Sequence, residues 1–73
     1  MAIVKTSDIV GSSPKGWEDA VRAAVERASR TLIGLQEVEV TRLNAKIEGG
    51  NIVEYRAHVK IHFLLDEELP LHE

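Results

Sequence analysis

From Ile52 to Leu65 the chain alternates apolar and polar side chains almost without a break. Val53, Tyr55, Ala57, Val59, Ile61, Phe63 and Leu65 fall at odd positions, with Glu54, Arg56, His58, Lys60 and His62 between them. Successive strand side chains point to opposite faces, so the pattern predicts one long strand with an apolar and a charged face. At roughly 3.3 Å per residue such a strand is about 45 Å long, more than the rest of a 73-residue chain can cover.

The preceding segment predicts a second long strand, Leu35 to Glu48. Gln36, Val38 and Val40 share one face at its start, whereas beyond Arg42 the apolar set is Leu43, Ala45 and Ile47. One inserted residue produces such a change of parity, so a β-bulge is expected at Thr41–Arg42. Gly49, Gly50 and Asn51 tolerate positive φ and read as a three-residue hairpin loop. That loop sets Ile47 opposite Val53, Ala45 opposite Tyr55 and Leu43 opposite Ala57. Past the bulge Val40 meets Val59 and Val38 meets Ile61, while Glu39 faces Lys60 and Glu37 faces His62.

Upstream, Trp17, Ala20, Val21, Ala24, Val25 and Ala28 follow the spacing of a single helical stripe. Trp17 heads it as a core or interface anchor. Glu18 and Asp19 complement the positive end of the helix dipole, Ser12 and Ser13 before Pro14 read as caps, and Gly34 marks the end of the segment. Ile3 to Val10, with weak alternation, predicts a short edge strand. The fold class is α+β: a β-α-β-β chain whose three-stranded antiparallel sheet wraps around one helix. Residues 1–65 form one domain, and 66–73 a short acidic tail with Asp66, Glu67, Glu68 and Glu73.

Composition narrows the function. Small domains often need disulfides, a metal or oligomerisation for stability, and the absence of cysteine leaves oligomerisation as the expected remedy. A net charge of −3 and only three aromatic residues argue against nucleic-acid binding. No apolar run spans a membrane and no signal-peptide core is present; the reading is a soluble cytoplasmic protein. No nucleophile elbow, phosphate loop or dinucleotide fingerprint occurs, so no enzyme is expected. His58 and His62, four residues apart on a strand, lie roughly 13 Å apart, too far to share a metal. Asp66, Glu67 and Glu68 offer oxygen atoms suited to calcium or magnesium, without a spacing that fixes a site. The charged sheet face, with Glu37, Glu39, Arg42, Arg56, His58, Lys60 and His62, suits a solvated surface, an interface or a lumen wall.

These residues resemble the dodecins, small β-α-β-β proteins that assemble as hollow homododecamers and typically bind flavins. The resemblance covers nearly the whole chain. It rests on Ile9-Val10-Gly11-Ser12-Ser13-Pro14, the Ala-rich helix from Trp17 to Thr31, Glu39-Val40 and the final alternating strand. It implies a non-enzymatic homo-oligomeric, dodecameric shell that binds or stores a small ligand or cation. The cofactor-binding positions it implies are Glu37, where flavin binders carry a stacking tryptophan, and Arg56, where they carry a glutamine. Asn44-Ala45 replaces an Arg-Gly pair found in many bacterial members. A carboxylate cannot stack on a flavin, and an arginine offers only donors where glutamine offers both roles. Tyr55-Arg56 without the tryptophan is similar to a branch associated with calcium. The alternatives are a flavin-sequestering member with a modified pocket and a purely structural oligomer without ligand.

Overall fold

A computed structural model describes residues 3–65. The acidic tail lies outside the described residues. The order is β1 (Ile3–Ser13), α1 (Trp17–Ser29), β2 (Leu35–Glu48) and β3 (Asn51–Leu65). The strands form one antiparallel sheet in the order β1-β3-β2, with β3 central and β1 at an edge.

The bulge in β2 lies where the change of parity placed it, between Val40 and Arg42. Val40 pairs with Val59, Leu43 with Ala57, Val38 with Ile61 and Ala45 with Tyr55, so both halves of β2 turn their apolar side chains toward the helix. Thr41 Oγ1 donates to the His58 carbonyl at 3.1 Å, fixing the extra residue. The hairpin differs from expectation. Its loop has two residues, Gly49 and Gly50, at φ of 59° and 79°, the left-handed conformation that two-residue hairpins favour. Glu48 pairs with Asn51, so Ile47 meets Ile52 rather than Val53, and an irregularity between Ile47 and Lys46 then restores the expected pairing of Ala45 with Tyr55.

β1 runs on through Gly11, Ser12 and Ser13, which pair with Ala57, Arg56 and Tyr55. The two serines are therefore strand residues and do not cap the helix. Gly16 occupies the N-cap with no side-chain hydrogen bond, and Ser13 Oγ accepts from the Lys15 N–H at 3.0 Å. α1 buries Ala20, Ala24 and Ala28 against Ala57, Val59 and Ile61 of β3. These small side chains let helix and sheet approach closely. Gly11, buried on β1, marks the tightest point: a Cβ there would overlap the Ala20 carbonyl and stand 3.0 Å from Ala24 Cβ.

The helix is about 20 Å long and β2 about 46 Å. α1 lies over β1 and β3 more than over β2, and the distal β2–β3 ribbon carries no helix. Val40, Leu43, Ile47 and Ile52 are consequently 46–65% exposed. The molecule measures 53 × 19 × 18 Å, and its radius of gyration is 15.2 Å. A compact chain of this length has about 11 Å.

Candidate functional site

The polar face of the sheet is assembled by register. Ser12, Arg56 and Asn44 form one row across the three strands. Val10, His58 and Arg42 form the next, Asp8, Lys60 and Glu39 a third, and Thr6, His62 and Glu37 a fourth. Side chains in such rows are close neighbours, and diagonal partners lie within reach of long side chains.

Glu37 and Arg56 share this face but not one place on it. Glu37 pairs with His62, six residues along β3 from Arg56, a separation of roughly 20 Å. Within one chain they do not meet. Both are exposed. The Arg56 guanidinium donates to both Glu54 carboxylate oxygens, each at 3.4 Å. This hydrogen bond, aided by the charges of Arg56 and Lys46 and a hydrogen bond from Ser12, holds the Glu54 carboxyl below its usual pKa.

Facing charges do not always pair directly. His62 stands opposite Glu37 but contacts Glu39 diagonally, with Nε2 3.1 Å from Oε1. The Asn44 side-chain nitrogen Nδ2 lies 3.2 Å from His58 Nε2. Among the described residues no three histidine or acidic side chains are grouped to hold a metal ion. His58 and His62 engage separate partners.

An aromatic cluster on the other face escaped the periodic pattern. The Trp17 and Tyr55 rings meet edge to face, their centroids 4.9 Å apart at 80°. Trp17 Nε1 donates to the Asn44 carbonyl at 2.9 Å, tying the start of α1 to β2. Trp17 stays 38% exposed. The sequence signal was its place at the head of the stripe, but the partner 27 residues away depends on the bulged register.

A groove runs between α1 and β2, lined by Val21, Val25 and Val38, with Glu18, Arg22, Glu26 and Ser29 along its helix wall. It continues toward Leu35 and Ile61.

This architecture has matches among known proteins, and the dodecin family model matches residues 3–66. The chain belongs to the dodecin family. It is 34% identical over 65 residues to a dodecin from Thermus thermophilus, covering 89% of this chain and 94% of that one. The solved dodecin from Streptomyces coelicolor superposes with a TM-score of 0.87 at 39% identity, covering 92% of this chain and 96% of that one. The calcium dodecin from Mycobacterium tuberculosis, described as calcium chelating with a novel calcium-binding site, gives a TM-score of 0.77 at 28% identity. That match covers 94% of this chain and 99% of the relative. Among the described residues of this dodecin no helix is long and apolar enough to cross a membrane.

Proposed function

We propose that this dodecin is a non-enzymatic, homo-oligomeric shell, dodecameric as the family resemblance implies, that binds or stores a small ligand or cation. The observation that carries the reading is the uncovered ribbon: Val40, Leu43, Ile47 and Ile52 stay about half exposed or more on a chain without disulfides. Neighbouring copies are the economical cover for such a surface. The polar face then faces a lumen or a ligand. Glu37 and Arg56 serve a common pocket only as contributions from different chains.

The ligand reading favours a cation over a stacked flavin. Glu37 brings a carboxylate where a flavin sandwich needs an aromatic ring, and Arg56 is engaged with Glu54. Calcium takes about six to eight oxygen ligands, so its site draws carboxylates from several chains or from the acidic tail. The similarity to a calcium dodecin supports this choice.

Thermal unfolding of chelator-treated protein, at fixed protein concentration, tests it. A ligand bound only by the native state stabilises by about 2.7 kcal/mol at a hundredfold excess over Kd. Calcium is expected to raise the midpoint, and flavin mononucleotide to leave it unchanged with its fluorescence unquenched. Quenched flavin emission would favour the modified flavin pocket. No response to either ligand would leave a purely structural shell.

A further inference from the structure

Acidic residues are unevenly spread along the chain. Four of the twelve lie in residues 66–73, so residues 1–65 carry nine lysines and arginines against eight carboxylates. Three of those cations gather at one corner of the fold. Asp19, Ala23, Arg27 and Arg30 fall on one helical stripe. The first two line a cleft with Ser12 and Ser13, so the stripe follows the β1 side of α1. The short connection at 14–16 turns α1 back along β1, which brings the basic end of the stripe toward the start of that strand. Lys5 lies there on the helix side, paired with Phe63. Lys5, Arg27 and Arg30 are exposed, and none makes an ion pair among the described residues; Arg30 stands one turn beyond Glu26 without pairing with it.

β3 delivers the acidic segment to this corner. Leu65 pairs with Ile3 at the end of the sheet. Asp66 follows Phe63, the partner of Lys5, by three residues, roughly 10 Å at a strand's rise. We infer that Asp66, Glu67 and Glu68 fold back onto the corner made by Lys5, Arg27 and Arg30 of the same chain. Isolated exposed ion pairs contribute little, so the network of three carboxylates on three cations holds the segment, not any single pair. The negative end of the helix dipole opposes an approaching carboxylate, which makes the two arginines at the end of α1 the necessary attractors. The inference concerns one chain and does not depend on the homo-oligomeric reading above.

Zero-length carbodiimide cross-linking of the full chain, read by peptide mass spectrometry, tests it. The parent offers Lys5 as the corner's amine, and Arg27→Lys and Arg30→Lys each add another while keeping the charge. Equal parts of 15N-labelled and unlabelled chain are refolded together, so that links within a chain join peptides of one isotope. Lys46 and Glu48, 3.4 Å apart, serve as the internal positive control. The expected result is linkage of Asp66, Glu67 or Glu68 to Lys5 and to each introduced lysine, within single chains. Lys15 before the helix and Lys60 on the polar face should stay unlinked to the segment. The links should be lost in about 1 M salt, where charges are screened over about 3 Å. Absence of any link from the segment to the corner while the Lys46–Glu48 link forms would overturn the inference. Equal linkage to Lys15 or Lys60 would overturn it in favour of a segment without a fixed place, and links joining the two isotopes would overturn it in favour of docking on a neighbouring copy.

Discussion

Gly11→Ala is the smallest change that tests how helix and sheet are held together. Gly11 pairs with fully buried Ala57, and its missing side chain is what lets β1 pass beneath Ala20 and Ala24. The atom a new Cβ would overlap is the Ala20 carbonyl oxygen, part of a helical backbone that cannot rotate aside. The helix must lift, loosening the contacts of Ala24 and Ala28 with β3. Overpacking of this kind costs typically about 1–3 kcal/mol, a large share of the roughly 4–11 kcal/mol expected for a chain of this length. With a urea slope of about 1 kcal/mol/M, the unfolding midpoint should fall by about 1–3 M at constant protein concentration. Gly16→Ala is the control for loss of a glycine without a clash, because a Cβ there meets nothing within 4 Å; at the N-cap, where alanine is disfavoured, it should cost no more than about 1 kcal/mol. Equal midpoints for Gly11→Ala and the parent, or equal losses for both variants, would refute the reasoning.

Trp17→Phe removes the hydrogen bond to the Asn44 carbonyl and should cost about 1 kcal/mol. Trp17→Ala also removes the contact with Tyr55 and should cost about 2 kcal/mol, below the usual core value because the ring is partly exposed; chemical unfolding followed by circular dichroism measures both. Deleting Thr41 removes the bulge and should carry Val38 and Val40 to the polar face, giving insoluble or unfolded protein. Thr41→Ala, which loses one hydrogen bond, should remain folded, and equal solubility of the two variants would contradict the bulge's role. Glu54 titrates below 4.5 in the folded chain chiefly because Arg56 hydrogen-bonds its carboxylate. Its stabilising contribution is therefore present above about pH 4.5 and lost as pH falls through the lower folded value. Arg56→Gln should raise the Glu54 midpoint in carbon-detected NMR titration, and an unchanged midpoint would contradict the assignment.

Much of the fold was legible because period-two alternation responds sharply to a one-residue insertion. The switch of apolar parity around Arg42 located the bulge, and with it the pairing of Val40 with Val59 and Leu43 with Ala57. Turn chemistry was less informative. Gly49-Gly50-Asn51 supports two loop lengths, and the shorter one forms because Asn51 extends β3 while a second bulge restores the pairing. Ser12, Ser13 and Pro14 resemble a helix start locally, yet pairing with β3 draws both serines into the sheet and leaves the cap to Gly16. The candidate ligand positions were legible only as face-mates. Register puts Glu37 and Arg56 about 20 Å apart, a distance that counting along the chain does not reveal until both strands are aligned. The T-shaped Trp17–Tyr55 pair likewise depends on where α1 crosses the sheet, which alternation does not encode.

Assembly is the central claim, and native mass tests it most directly. Size-exclusion chromatography with multi-angle light scattering should give about 97 kDa, twelve copies of the 8.1 kDa chain. That mass should persist on dilution to micromolar concentration. A stable 8.1 kDa monomer with native circular dichroism would contradict the account, because the apolar ribbon would then stand uncovered in water.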